Sequence, residues 1–176
     1  MFGTTRLSVN MLNIHPVTPA GIPALLALIR ELATYEKKRH KAVVTEGDLL
    51  RDLFGSQPKF RALIAEWDGK PAGYATFFYF YSTFAGRAAL FLEDLFVLDE
   101  FRGSGIGKAL LSAVAKLAVD EGCFGLRWEV LDWNRPAIEF YEKLGATFLN
   151  ERRAVAFDGE ALRRVAAEFS PHKKTF

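Results

Sequence analysis

The chain has 176 residues, of which 50% are hydrophobic and 25% are charged. This composition is typical of a globular protein with a substantial core and excludes a disordered chain. The formal net charge is only +2 and is spread along the chain, so the composition lacks the clustered basic excess of a nucleic-acid-binding protein. We therefore expect a small-molecule partner and no nucleic acid.

Metal binding and membrane insertion are not indicated. Cys123 is the single cysteine and the three histidines are scattered, so no metal-ligand spacing occurs, and we expect a reducing, cytoplasmic environment. Polar residues and glycines divide the apolar run 72–92, which is typical of a hairpin and not of a membrane span. Residues 1–10 lack a secretory signal and are predicted to be a flexible leader before a single domain, 11–176.

The first half of the chain predicts a strand, two helices and a hairpin. Residues 12–16 alternate as a strand does, and Thr18 can cap an amphipathic helix that follows. A second helix begins at Thr45, whose side chain can pair with the first turn near Asp48, and ends by Gly55. Three further strands are predicted, a hairpin of 60–66 and 71–81 and then 89–98.

The second half alternates helices and strands after a glycine-rich loop. Apolar residues at helical spacing follow the loop until Gly122. The later elements are a strand over 126–131, a helix over 135–144, a strand over 146–156 and a helix that Asp158 caps and that runs to Glu168. This order predicts an α/β (α+β) fold in which helices pack on a largely antiparallel sheet.

A glycine-rich loop between a strand and a helix is typical of an anion site, because backbone N–H groups and the helix dipole both face it. Gly103, Gly105 and Gly107 alternate here. A dinucleotide fingerprint would need glycine in place of Lys108, and a P-loop would need it in place of Arg102. The remaining pattern, Arg-x-x-Gly-x-Gly, indicates a phosphate-bearing ligand or, alternatively, a tight turn with an exposed arginine.

Three separated motifs resemble the GNAT superfamily of N-acetyltransferases. They are Leu-Glu-Asp-Leu-Phe-Val over 92–97, the glycine loop, and Trp-Asn-Arg-Pro-Ala over 133–137 with Phe-Tyr at 140–141. Residues 28–32 and 35–36 are similar to the spermidine/spermine (diamine) and thialysine acetyltransferase branch. The resemblance covers roughly residues 11–169. It implies a GNAT-like fold, a mostly antiparallel mixed sheet with helices on both faces, that uses acetyl-CoA and releases coenzyme A.

The resemblance also implies a base and an acid. An alkyl ammonium with a pKa of about 10 must lose a proton before it can attack. Glu93 matches the family base, acting directly or through water, although it could instead be a strand-end carboxylate paired with an arginine. Asp94 alternates to the other face and is interpreted as structural. Tyr141 matches the acid that protonates the leaving thiolate, its alternative being a core aromatic.

Backbone and side-chain groups around the loop are implied to hold the donor. The N–H of Leu95 or Phe96 would meet the charge that develops on the acyl oxygen. Asn134 could bind the pantetheine arm, cap its helix, or do both. The complete predicted cofactor-binding set is Leu95, Phe96, Val97, Arg102, Gly103, Ser104, Gly105, Ile106, Gly107, Lys108, Asn134 and Ala137.

Two departures from polyamine-specific relatives bear on the acceptor, which is predicted to be a small primary amine. Those relatives carry a carboxylate in a Tyr-Asp-Pro-Trp stretch, where this chain has Ser82. Positions 37–41 are largely basic, which would repel a polycation, unless the run is simply a solvated loop. Both favour a smaller amine or an amino acid such as thialysine or lysine. The predicted substrate-binding residues are Glu31, Tyr35, Glu36, Glu93 and Trp128.

Other functions and an assembly state stay open at the level of sequence. A protein or peptide N-acetyltransferase and a non-catalytic acyl-CoA-binding module are the alternatives, and intact Glu93 and Tyr141 argue against the second. Relatives in the branch are homodimers, so the resemblance implies a homodimer. The apolar stretches 77–81 and 155–157 could form its interface or could pack in the core.

Overall fold

The computed structural model describes residues 11–151 and 153–169. The chain forms two compact units, one extending to Glu129 and the other beginning at Val130. The predicted leader, 1–10, lies outside the described residues, and the single-domain assignment remains a prediction. None of the described helices is long and apolar enough to span a membrane.

A sheet of five strands forms the centre of the first unit, and its spatial order is the same as its order in the chain. The strands are β1 (Leu12–Pro16), β2 (Arg61–Trp67), β3 (Lys70–Ser82), β4 (Arg87–Val97) and β5 (Leu126–Trp128). Neighbouring strands are antiparallel except β4 and β5, which are parallel. The mostly antiparallel mixed sheet that was predicted is therefore confirmed.

Helices cover both faces of this sheet, as predicted. They are α1 (Ile22–Tyr35), α2 (Glu46–Phe54) and α3 (Ile106–Asp120). Leu25 and Leu49, from α1 and α2, join Tyr74 and Phe96 of the sheet in one buried cluster, which we call the α1-side core. On the opposite face, α3 contributes to the α3-side core, whose members include Leu63, Ala75, Leu92, Leu110 and Val114. The central strands bury both faces for this reason, which explains their long apolar runs.

The two predicted helix starts in the first half have different outcomes. Thr45 forms the predicted capping box, because its side chain accepts a bond from the N–H of Asp48 at 3.2 Å and its own N–H donates to the Asp48 carboxylate at 3.1 Å. The predicted Thr18 cap is wrong. A short 3-10 turn, Pro19–Gly21, precedes α1, and the Thr18 side chain makes no cap bond. Proline within the first turn starts this segment without a side-chain cap.

The second unit contains α4 (Arg135–Lys143) and α5 (Gly159–Ala167). The predicted strand over 146–156 is wrong, because the described residues in that range form turns and irregular structure. A strand is stable only when its backbone pairs with a neighbour, and none of the described strands pairs with this segment. Asp158 occupies the predicted cap position of α5, but its side chain makes no cap bond.

The fifth strand is also shorter than predicted. It was expected over 126–131 but ends at Trp128. Its pairing with β4 runs from Leu90 opposite Leu126 to Leu92 opposite Trp128 and goes no further. The reason lies in β4, whose path changes immediately after Leu92.

Candidate active site

A β-bulge in β4 separates the two adjacent carboxylates Glu93 and Asp94. Thr76 of β3 lies opposite Asp94, and the next residue, Phe77, lies opposite Leu92, so Glu93 has no partner on β3. A bulge adds one residue to a strand, bends it and redirects a side chain. Glu93 is exposed at this bend, whereas Asp94 is partly buried on the side of the sheet that α1 covers.

Beyond the bulge, β4 has an open edge. Among the described residues, no strand pairs with β4 on the β5 side after Leu92. The N–H of Leu98 donates to Ala72 of β3, and N–H directions alternate along a strand. The N–H groups of Leu95 and Val97 therefore point to the open edge, and that of Phe96 points to β3. Of the two predicted oxyanion donors, the geometry favours Leu95.

The glycine loop joins this edge to α3. Gly103 has φ of 78° and Gly105 has φ of 89°, a region that residues with a side chain adopt only under strain. Gly105 occupies the cap position of α3 and no side chain caps the helix, so the first N–H groups of α3 are available to an anion. A Cβ at either glycine would have no atom within 4 Å, so the loop is open on this side. These residues fit a phosphate-bearing donor.

The Arg102 guanidinium is turned back toward α1. Its Nε donates to the carbonyl oxygen of Val97 at 3.0 Å, and its Nη1 lies 2.5 Å from the carboxylate of Asp99. Its central carbon is 4.6 Å from the centroid of the Tyr35 ring and 5.7 Å from that of Phe96. The predicted loop arginine therefore bridges the end of β4 and the end of α1.

Three causes raise the pKa of Glu93. Partial desolvation is the largest, and the negative charges of Asp94 and Glu129 add to it. A carboxylate with a raised pKa is a stronger base than an ordinary surface carboxylate. Glu129, at the end of β5, was not predicted from sequence, because only the parallel pairing of β4 and β5 brings it near Glu93.

Asp94 accepts a hydrogen bond from the hydroxyl of Thr76 at 2.9 Å. Burial raises the pKa of Asp94, and the charge of Glu36 adds to the effect, while the hydroxyls of Thr76 and Tyr74 oppose it. Within the described part of the chain, no ion pair joins Asp94 to a cation. Sequence reasoning missed Thr76, although a small hydroxyl residue inside a long apolar strand was a usable signal.

The predicted substrate-binding residues are only partly brought together. Tyr35 and Glu36 end α1 on the Asp94 side of the sheet, where Glu36 pairs with Lys38 at 2.9 Å. Glu31, one turn earlier on α1, is exposed. Trp128 packs on the opposite face, against the α3-side core.

Three predicted residues lie in the second unit, Asn134 at the N-cap of α4 and Ala137 and Tyr141 on the helix itself. The Asn134 side chain accepts a bond from the N–H of Ala137 at 3.4 Å, so the helix-cap interpretation of Asn134 is confirmed. Tyr141 is buried, with its ring centroid 5.2 Å from that of Phe140. Burial raises the pKa of Tyr141 to about 12, so the phenol remains protonated at neutral pH.

A cavity of about 420 Å³ lies elsewhere in the first unit, between the end of α2 and α3. Its walls include Leu53, Phe60, Phe77 and Leu117, and it contains none of the predicted site residues. The candidate site is instead a strand edge with a loop.

Comparison with known proteins agrees with this geometry. The model of the acetyltransferase (GNAT) family matches residues 25–146. The chain belongs to the GNAT acetyltransferase family. It is therefore an enzyme, an N-acetyltransferase that uses acetyl-CoA, and not a non-catalytic binding module.

Several relatives are similar over most of their length. The thialysine N-epsilon-acetyltransferase of Sus scrofa is 41% identical over 82% of this chain and 91% of its own. The L-ornithine N5-acetyltransferase NATA1 of Arabidopsis thaliana is 30% identical over 87% of each chain. Among solved structures, an integron cassette protein from V. cholerae has a TM-score of 0.75 at 27% identity, with 88% of this chain and 97% of that chain covered. An aminoglycoside N-acetyltransferase in complex with CoA shares the GNAT fold, with a TM-score of 0.68 at 20% identity and coverage of 87% and 97%.

Proposed function

We propose that this GNAT acetyltransferase acetylates the terminal amine of a small amino acid of the thialysine, lysine or ornithine type. The observation that carries the proposal is the charge arrangement on the α1 side of β4. Asp94 is partly buried and has no ion-pair partner among the described residues, and a basic run begins immediately after α1. A diamino acid of this type has the complementary arrangement, with its terminal ammonium at one end and its carboxylate, beside the α-ammonium, at the other.

The donor would bind along the open edge of β4 and at the glycine loop. When bound, acetyl-CoA supplies the acetyl thioester. The glycine loop and the first N–H groups of α3 would hold its phosphates, with Lys108 exposed on the first turn. The N–H of Leu95 would donate to the acyl oxygen as negative charge develops there. Backbone groups need no rearrangement for this role, because the strand holds their direction.

Glu93 would act as the base in a direct attack within a ternary complex. It accepts a proton from the substrate ammonium, directly or through a water, and the free amine then forms the N–C bond while the C–S bond breaks. The acylated nitrogen releases its second proton to solvent, which leaves the neutral amide. The raised pKa of Glu93 supports this role. Exposure at the bulge supports it as well, since a base must reach an incoming substrate.

Tyr141 would donate to the departing thiolate. Its pKa of about 12 keeps the phenol protonated at every pH at which the enzyme could work. A thiol has a pKa of about 8.5, so complete proton transfer from this phenol is uphill. We therefore assign Tyr141 as a hydrogen-bond donor that stabilises the thiolate, with solvent completing its protonation.

The acceptor preference follows from charges on and after α1. Asp94 and Glu36 can attract the substrate ammonium, while Lys37, His40 and Lys41 lie exposed in the following segment and can attract a carboxylate. Thialysine and ornithine, the substrates in the names of two relatives, both combine an ω-amine with a carboxylate. Ser82 does not replace the carboxylate of polyamine-specific relatives, because its hydroxyl accepts a bond from the N–H of Ala85 in the turn after β3.

Matched substrate pairs test this proposal. Lysine and cadaverine, or ornithine and putrescine, differ only in the carboxylate. With acetyl-CoA as donor, we expect kcat/KM to be about tenfold higher for the amino acid of each pair, the size of one charge-assisted contact. A preference for the diamine would reject the carboxylate contact, and turnover of peptides alone would favour a peptide N-acetyltransferase.

We also propose a cytoplasmic homodimer. Tyr79 and Tyr81 in the first unit and Val155 and Phe157 in the second are exposed apolar residues from the two predicted interface stretches. Phe77 is buried and cannot take part. Light scattering coupled to size-exclusion chromatography tests the assembly, and a monomeric mass at micromolar concentration would reject it.

A further inference from the structure

We infer that Tyr35 is a positioning residue for the donor, because its ring holds Arg102 and thereby orients the start of the glycine loop. The inference rests on the proposed role of that loop in holding acetyl-CoA. The resemblance places Tyr35 at the amine substrate, whereas the inference places it in the support of acetyl-CoA binding.

The Arg102 guanidinium makes polar contacts through its N–H groups and aromatic contacts through its face. In the plane of the guanidinium, Nε donates to the Val97 carbonyl oxygen at 3.0 Å and Nη1 lies 2.5 Å from the Asp99 carboxylate. The face lies over the Tyr35 ring at 4.6 Å, where the ring quadrupole attracts a cation. Phe96, the neighbouring aromatic at 5.7 Å, provides a second and weaker face contact.

The aromatic platform is anchored in the α1-side core. The ring centroids of Tyr35 and Phe96 are 6.4 Å apart, and those of Phe96 and Tyr74 are 6.2 Å apart. Tyr74 and Phe96 are buried, and Tyr35 packs against them from the end of α1. The position of Tyr35 therefore depends on rigid core packing, and Arg102 takes its position from Tyr35.

The loop itself has little packing to hold its shape. No atom lies within 4 Å of the Cβ positions of Gly103 and Gly105. Both glycines have left-handed backbone conformations, and because glycine can adopt many others, holding it in one of them costs conformational entropy. The loop is therefore ordered by its flanks and by the Ser104 hydroxyl, which donates to the carbonyl oxygen of Phe101. Ile106 is buried and fixes the end of the loop, and Arg102 fixes its beginning.

A direct binding measurement tests the inference. Calorimetric titration with coenzyme A should show that Tyr35→Leu weakens binding by about threefold to tenfold, which is the range of a partly exposed cation–π contact. Tyr35→Phe keeps the ring face and should bind within about twofold of wild type. Phe84→Leu removes a fully exposed aromatic ring between β3 and β4 and serves as the matched control, with unchanged affinity.

The same titration in an Arg102→Gln background isolates the coupling. There Tyr35→Leu should cause no further loss, because the ring no longer has a guanidinium to hold. If the leucine variant melts below the assay temperature, Tyr35→Met, which is closer in length, replaces it.

Three results would overturn the inference. Wild-type affinity in Tyr35→Leu would do so, as would an equal loss in both backgrounds or a change confined to the KM of the amine. In each of these cases the proposed function would still hold, because the wild-type protein would bind coenzyme A. A wild-type protein that does not bind coenzyme A would overturn the proposed function together with the inference.

Discussion

The proposed donor side and the proposed acceptor side of β4 are built from different kinds of chemical group. On the donor side, the open strand edge and the glycine loop present backbone N–H groups, directed by strand alternation and by the left-handed glycines. On the acceptor side, the polar groups are side-chain carboxylates, those of Glu93, Asp94 and Glu36. A backbone site depends on conformation, whereas a side-chain site depends on residue identity.

This difference separates the expected effects of substitution. Changes on the donor side should alter the affinity for acetyl-CoA equally for every amine. Changes on the acceptor side should alter proton transfer and amine selection, with donor affinity unchanged. Each variant below is a test of that separation.

Glu93→Gln should have the largest effect, lowering kcat/KM by about 100-fold to 10,000-fold because a general base is lost. Coenzyme A affinity should not change. In the wild type, activity should fall as the pH drops through the raised pKa of Glu93, since the protonated carboxyl cannot accept a proton, and the variant should lack this limb.

Glu129→Gln is the matched control for that pH profile. It removes a like charge that raises the pKa of Glu93, so the acidic limb should move to lower pH with turnover preserved. Near-normal activity in Glu93→Gln would show that another group removes the proton.

Tyr141→Phe should lower kcat by about 100-fold, the lower end for an acid–base group, because the fully protonated phenol donates only a hydrogen bond. The KM of the amine and the affinity for coenzyme A should both remain within about twofold of wild type. Steady-state kinetics with both substrates varied provides the measurement. Unchanged turnover would make Tyr141 a packing residue.

Gly105→Val should raise the KM for acetyl-CoA by about tenfold to 100-fold, because a residue with a side chain resists φ of 89° and distorts the anion site. The fold should persist, since a Cβ at this position meets no atom within 4 Å. Gly86→Val, which places the same strain at φ of 62° in the β3–β4 turn, is the control and should leave that KM unchanged. Equal KM values in the two variants would reject the loop assignment.

Asp94→Asn should have the smallest effect on activity, raising the KM of the amine by about fivefold as one charge contact is lost. Although this substitution should weaken amine binding, it should increase the stability of the folded protein. Because the folded pKa of Asp94 is raised, the folded state binds a proton more readily, and stability falls as the pH rises from the ordinary carboxyl pKa through the raised one.

Differential scanning calorimetry checks this sign. Above the raised pKa the Asn variant should melt at a higher temperature than wild type, and below the ordinary carboxyl pKa the two should converge. A lower melting temperature for the variant at alkaline pH would instead assign Asp94 a purely structural role.

The sequence predicted most of the first unit, because its signals are local. Apolar spacing predicts α1 and α3, the Thr45 capping box is a short-range pattern, and the Asp-Gly turn predicts the β2–β3 hairpin. In the second unit, α4 follows from similar signals. The strand over 146–156 was wrong because the order of elements along the chain does not supply a partner for the backbone.

The sequence by itself also determined the family and predicted the donor site, since the glycines in the loop and the motif around Glu93 are both contiguous in the chain. Only the tertiary structure decided which of Glu93 and Asp94 is exposed, which N–H groups face the open edge, and where the Arg102 guanidinium lies. The register of β3 against β4, the end of the β4–β5 pairing and the packing of α1 control these features. All three depend on contacts between residues far apart in the chain, and a local pattern contains no information about them.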